Sequence, residues 1–327
     1  MSDAYRALRN GVALEESPAC EVFRVEGAGA FSFVDRLVTT DLYLQEAQVR
    51  EGLMLDVDGL VVADVLVGRR EDSYDLFVET TAGVVAADLL RVGDASDVTV
   101  RSLAASHRTI GLHGPFAWEL LGEWLGPDLV GMPYLSSFTV GDLLVVRAGK
   151  TGEFGYNVVV PNESAAASLE ALVDKGRAFD LTPVDRATLD LAALENGFFC
   201  ARGVGAFERD PLTLQLRWRL SNDKDYVGRE ALDVRAANRR RERITWLATD
   251  APIAAGDAIE AFGEDVGRVL AALSSPAIGR SLAVARIMPP WAWSGLSCLT
   301  VRRTTGELLG GFPARRRPRC SRIAAST

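Results

Sequence analysis

Residues 52–70, GLMLDVDGLVVADVLVGRR, leave the chain little local freedom, because two Val- and Leu-rich runs flank Asp58-Gly59. Glycine supplies the positive φ that a tight turn requires, so a β-hairpin is expected near Gly59. SYDLFVET follows it. Upstream, the strand-like CEVFRVEG precedes Phe31, Val34, Leu37 and Val38 at helical spacing. AWELLGEWL (117–125) and ESAAASLEALVDKG (163–176) read as helices, with the strands GDLLVVRAG and YNVVVP between them. Helices and strands mix without a βαβα rhythm, which predicts α+β rather than a doubly wound sheet.

The 327 residues are about twice the ~150-residue prior for one domain. Past residue 240 come ERITWLAT, DAIEAF, VGRVLAAL, RSLAVARI and SCLTVRR, short strand-like runs with Gly, Pro and Asp between them. Their spacing predicts a small β-barrel or sandwich, with the boundary in the arginine-rich stretch 235–243. The expected division is 1–240, 241–314 and a disordered basic tail over 315–327. Apolar residues make up 48% of the chain, yet no run approaches eighteen in a row and the opening MSDAYRALRN lacks an apolar signal core. A cytoplasmic protein without a membrane span is expected.

The net charge is −8, and five arginines without an acid fall in 311–327, so residues 1–310 stand at −13. That balance argues against nucleic acid, whose phosphates demand many cations. Cys20, Cys200, Cys298 and Cys320 show no CxxC spacing, and the histidines are His107 and His113 alone, so neither a metal site nor a disulfide framework is expected. Acid-base chemistry then falls to carboxylates or to the substrate.

Three places carry candidate chemistry. Asp64 is a lone acid inside LVVADVLVG, where a buried carboxylate costs several kcal/mol unless partnered; either local amides at a strand end satisfy it or it has a purpose. In GKTGEFGYNVVVP, Gly149, Gly152 and Gly155 bracket Glu153 and lead to Tyr156, which suits either close approach to a flat ligand or an ordinary hairpin. In LENGFF, Glu195 ends a helical run before Gly197, a position equally open to a solvated last-turn residue.

In order, YRALRNGVAL, FVDRLVTTDL, GLVVADVLV, GLHGPFA, TGEFGYNVVVP, LENGFF, DPLTLQLRW, DYVGREAL and SSPAIGRSLAVARI resemble the folate-binding aminomethyltransferase family typified by the glycine cleavage T-protein. The resemblance runs from about residue 5 to 287. It implies an α+β fold of three subdomains in a ring around a central cavity for tetrahydrofolate. It also implies site residues: Asp64 on the catalytic aspartate, and Glu195 on the glutamate that grips the pterin edge, where a carboxylate accepts two parallel N–H bonds. Glu153 and Tyr156 fall in the TGExGYE-like loop, Met54 beside the hairpin where the cofactor packs, and Arg229 near the folate tail, with Arg219 and Lys224 as rivals. The implied reaction moves a one-carbon unit between a donor and folate N5, and Asp64 stabilises the cationic species or acts as a base. The donor is a lipoyl carrier protein or a small molecule.

The chain departs from the family at Glu51, Glu79, His113 and Ala193, where a tyrosine, an asparagine, a glutamine and an arginine are usual. Two added carboxylates and an imidazole would alter the pocket's electrostatics and raise neighbouring pKa values if buried together. A folate-dependent demethylase or methylenating enzyme acting on a small metabolite is therefore a second expectation. A third is a non-catalytic folate-binding helper of iron-sulfur proteins, against which stands KDYVGRE in place of the cysteine-bearing KGCYxGQE.

Overall fold

The computed structural model describes residues 2–16, 18–91, 97–237, 241–293, 296 and 298–302, together with the backbone of 308–312. The chain opens with α1 (Asp3–Asn10), β1 (Ala13–Glu15), β2 (Glu21–Glu26), α2 (Ala30–Leu37), β3 (Val49–Leu55), β4 (Val61–Arg69), β5 (Ser73–Thr80), α3 (Ala86–Leu89) and β6 (Thr99–Ser102). There follow β7 (His107–His113), α4 (Ala117–Leu125), β8 (Ser136–Val140), β9 (Leu143–Arg147), β10 (Gly155–Pro161), α5 (Asn162–Gly176), β11 (Thr182–Pro183) and α6 (Arg186–Glu195). The last part holds α7 (Arg229–Ala236), β12 (Arg243–Thr249), β13 (Ala258–Ala261), β14 (Glu264–Ser275), β15 (Arg280–Ile287), β16 (Leu299–Arg302) and β17 (Leu308–Phe312).

The strands form three sheets, so the α+β expectation holds. The first runs β3-β4-β5-β2-β6, the second β11-β1-β7-β10-β9-β8 and the third β12-β15-β14-β13-β16-β17. Among the described residues the third is an open antiparallel sheet edged by β12 and β17, which corrects the expected small β-barrel. The basic tail expected over 315–327 lies outside the described residues.

The hairpin sits where Asp58-Gly59 puts it. Gly59 has φ +73°, and the Asp56 carboxylate accepts from the amides of Asp58 and Leu60 at 3.1 and 2.9 Å. Period-two alternation then gives the first sheet two different faces. Met54, Ala63, Val65, Val67, Leu76 and Val78 pack under α2 and α3. On the other face, Val22, Val49 and Phe77 meet Leu144, Val146, Ala148 and Val159 of the second sheet. The second sheet's far face packs on α4 and α5 through Leu112, Leu120, Tyr156, Val158 and Leu172. A further core joins the hairpin tip to the third sheet through Leu53, Leu55, Val61, Leu214, Trp246 and Val284. The seam between the first two sheets holds Asp64 and Glu79 on its first-sheet side.

Candidate functional site

Beside that apolar seam, the facing sides of the two sheets turn polar and enclose a cavity of about 100 Å³. Strand register explains its lining. Asp64 on β4 lies directly opposite Glu79 on β5, and Glu51 on β3 lies opposite Leu66, two residues along the same face of β4. Three neighbouring strands thus send three carboxylates into one space. From the second sheet come Glu15, His113 and Asn157, with Lys150 from the β9–β10 loop, while Arg186, Asp190 and Ala193 come from α6. Gly111 makes room on this face, since a Cβ there would stand 2.9 Å from His113 Nε2 and 3.0 Å from Glu15 Oε2.

Carboxylates facing each other across paired strands repel unless a cation joins them. Lys150 does so, donating from Nζ to Asp64 Oδ2 at 2.7 Å and to Glu79 Oε2 at 3.0 Å. From behind, Arg219, itself buried, donates from Nη2 to Asp64 Oδ1 at 2.5 Å and to the Gly52 carbonyl at 2.6 Å. Arg186 donates to Glu79 Oε1 and Asp190 Oδ1, each at 2.9 Å, and lies 3.7 Å from Glu15. His113 Nε2 is 3.3 Å from Glu15 Oε2, and the Tyr134 hydroxyl donates to Glu51 at 3.1 Å.

These contacts set the protonation states. Burial pushes the Asp64 carboxyl upward, but Arg219 and then Lys150 outweigh it and hold the group below the usual carboxylate range. Burial works against the Lys150 ammonium, yet Asp64 and Glu79 raise its pKa above the ordinary lysine value. Asp190 is raised, chiefly by burial. The wall thiols Cys20 and Cys200 are pushed by burial to about 12, so both stay protonated. The lining holds five carboxylates (Glu15, Glu51, Asp64, Glu79, Asp190) against Lys150 and Arg186. Its fixed charge is negative even with Arg219 added.

The candidate residues fare differently. Asp64 lines the cavity in mid-strand, satisfied by cations rather than by local amides. Met54 and Tyr156 do not: alternation turns Met54 into the core under α2 and Tyr156 into the core under α4 and α5. On β10 it is Asn157 that reaches the cavity. Glu195 ends α6 but is buried rather than solvated. Its Oε2 accepts from the Tyr5 hydroxyl at 2.6 Å and Arg9 Nη2 at 2.5 Å, and its Oε1 from Ser275 at 2.5 Å. Glu153 accepts from the same Arg9 at 2.9 Å, so Glu195 and Glu153 clamp α1, α6, β14 and the β9–β10 loop together beside the cavity. Arg229 is spent on the Ser221 carbonyl at 2.7 Å and Asp233 at 2.9 Å, and Lys224 on Asp35 at 2.8 Å. Of the three rival cations, Arg219 alone reaches the site, on the carboxylate side.

The glycines of the β9–β10 loop serve the hairpin: Gly149 and Gly155 cross so closely that a Cβ on either would lie 2.7–2.9 Å from the other's Cα. Sequence reasoning missed Lys150, although it stands inside that loop, and missed Arg186, which carries no local signal. The departures Glu51, Glu79, His113 and Ala193 all lie on the cavity wall. A second, apolar cavity of about 420 Å³ shares Asp190, Ala193 and Cys200 with the first and continues along Leu273 and Val284 of the third sheet. Among the described residues no group of His, Cys, Asp and Glu is arranged to hold a metal ion, and no helix is long and apolar enough to cross a membrane.

Known proteins bear on this arrangement. The chain is similar to the aminomethyltransferase of Thermotoga petrophila, 28% identical over 291 residues that cover 86% of this chain and 79% of that one. It is similar also to the aminomethyltransferase of Chlorobaculum tepidum, 24% identical over 89% of this chain and 83% of the other. In fold it matches the crystal structure of glycine cleavage system aminomethyltransferase T from Bartonella henselae with a TM-score of 0.82, covering 96% of this chain and 88% of that one at 22% identity. Residues 1–224 match the family model of the GCVT N-terminal domain, and the chain belongs to that family.

Proposed function

We propose that the protein is a tetrahydrofolate-dependent one-carbon transferase of the aminomethyltransferase type, with Asp64 at its reactive centre. The observation that carries this reading is a carboxylate kept ionised on the wall of a cavity whose lining carries more carboxylates than cations. Fixed charge in such a place acts far more strongly than in water. The relatives named above are aminomethyltransferases, which favours this reading over a demethylase or an iron-sulfur helper.

The wall suits a reduced pterin. Asp190 and the Asn157 amide offer acceptors to its N–H-rich edge, and Leu66, Phe77 and Leu189 offer apolar surface. Tetrahydrofolate, when bound, supplies at N5 the nucleophile that takes up the one-carbon unit. Asp64 stabilises the positive charge that develops on the transferring carbon. Because Arg219 and Lys150 depress its proton affinity, Asp64 is a poor base and works as an electrostatic stabiliser. Arg186 orients Glu79 and Asp190. The clamp at Glu195 and Glu153 acts at one remove, holding the Lys150 loop against α6. The donor is an amine-borne one-carbon unit, on a lipoyl carrier or on a small molecule. A division into 1–240, holding two subdomains, and 241–314, holding a third, arranged around the site goes with this function; the three separate sheets support it.

The test is anaerobic calorimetry with tetrahydrofolate, then turnover with an aminomethylated dihydrolipoyl carrier and with methylated amines. Saturable binding and turnover of one donor class are expected. Absence of heat with tetrahydrofolate overturns the reading.

A further inference from the structure

The cavity contains an ammonium group of the protein's own. Lys150 Nζ sits between Asp64 and Glu79 at 2.7 and 3.0 Å, so the structure displays a site shaped for a protonated amine with that amine in place. Three further observations bear on whether the lysine belongs there permanently. Each carboxylate has a second cation, Arg219 for Asp64 and Arg186 for Glu79, so departure of Lys150 strands neither. The lysine side chain is 24% exposed and hangs from a loop on a flexible four-carbon stem, which gives it a way into water. The cavity of about 100 Å³ is smaller than the ~300 Å³ lower end for small-molecule sites, with Lys150 reaching across it.

A separate group points to the same ligand chemistry. His113 lines the cavity, is more than nine-tenths buried, and its Nδ1 has no partner among the described residues. Its Nε2 faces Glu15 Oε2 at 3.3 Å, and in a neutral imidazole a carboxylate there selects the tautomer with the proton on Nε2. Nδ1 is then a lone-pair acceptor waiting for an N–H donor, and leaving it unmet is costly. A protonated amine meets both, giving positive charge to the carboxylates that exceed the cations in the wall and an N–H to Nδ1.

We propose that Asp64, Glu79 and His113 form a binding site for a protonated amine, and that Lys150 is a resident counter-ion which the amine displaces. The site itself stands on this geometry; its assignment to the one-carbon donor rests on the proposed function. Lys150 thereby sets specificity: a ligand must carry a cation able to replace the lysine, and anionic donors are rejected.

The experiment uses methylammonium chloride as probe against matched sodium chloride, by calorimetry on the full chain. Lys150→Met is expected to bind methylammonium at least tenfold more tightly than wild type, and adding Glu79→Gln to remove that gain. Equal affinity in wild type and Lys150→Met, or a gain that survives Glu79→Gln, overturns the proposal. Should Lys150→Met not fold by circular dichroism, Glu79→Gln alone decides: methylammonium affinity at least tenfold below wild type supports the site, and unchanged affinity overturns it. A tetrahydrofolate titration of the same samples separates the two readings. In the wild type, absence of folate binding refutes the function and leaves the amine site standing, whereas folate binding with unchanged methylammonium affinity across the variants refutes the amine site alone.

Discussion

At the scale of the residue, the defining act of this sequence is to place Asp64 inside an apolar strand and keep it charged. Burial alone would favour the neutral acid, and two cations reverse that preference. Asp64→Asn keeps the shape and removes the charge, so turnover is expected to fall about 10²–10³-fold, the range for losing one fixed transition-state stabiliser. Folate affinity measured by calorimetry should stay within a few-fold. A fall in affinity that accounts for the whole loss would assign Asp64 to binding instead. The same depressed pKa has a stability sign. A carboxyl whose folded pKa lies below its ordinary value of 3.8 contributes stability above that pH and loses it as the pH falls through the lower folded value. Urea midpoints of the wild type should therefore drop as the pH is lowered below about 4, and Asp64→Asn should show a shallower drop. Identical slopes would mean that other carboxylates dominate acid unfolding.

At the scale of the element, alternation along a strand decides what a local motif means. The hairpin at Gly59, the helices read at 117–125 and 163–176 and the strand that carries Asp64 were legible because turn chemistry and periodicity are short-range. Tyr156 was misplaced by one residue of strand parity, since a run such as YNVVVP is apolar on both faces and does not say which one meets the cavity; around Met54 both faces of β3 are core, Met54 lying under α2 and Leu53 and Leu55 against the third sheet. Arg219 and Asp64 stand 155 residues apart, and Arg9 and Glu195 186 apart, so no spacing rule reaches either pair. With Tyr156 in the core and Asn157 on the wall, Tyr156→Phe is expected to leave tetrahydrofolate affinity unchanged, whereas Asn157→Leu, which points an apolar group into the polar wall, weakens it; equal effects in calorimetry would contradict the register. The turn before α7 gives a sharper case. Gly228 has φ +81°, and a Cβ there would lie 2.3 Å from the Asp56 carbonyl and 3.0 Å from Gly59 Cα. Gly228→Ala therefore drives α7 off the hairpin tip and should destabilise by about 1–3 kcal/mol, the cost of a strained backbone site, read from urea unfolding.

At the scale of the whole molecule, the cavity exists because two sheets whose strands interleave along the chain meet face to face, while a third sheet braces the hairpin from its tip. Segment composition indicated a separate β unit after residue 240, and β12 does begin at Arg243. Composition could not indicate that this unit shares a core with the hairpin. Leu53, Leu55 and Val61 of the first sheet pack in one cluster with Ile244, Trp246 and Val284 of the third, and Leu53 is the strand partner of Asp64 itself. A unit that contributes half of a shared core does not unfold alone, because its departure would expose the other half. Unfolding in urea should accordingly be a single transition, coincident by far-ultraviolet circular dichroism and by tryptophan fluorescence. Trp246→Ala, at a site only 7% exposed, removes the largest side chain of that core and should cost about 3–5 kcal/mol. If the third sheet were an independent domain, the same substitution would split the transition in two and leave the hairpin and its Asp64 cavity intact. Loss of tetrahydrofolate binding in step with the global transition of Trp246→Ala, rather than after a separate earlier one, is the outcome that ties the Asp64 strand to the fold's far end.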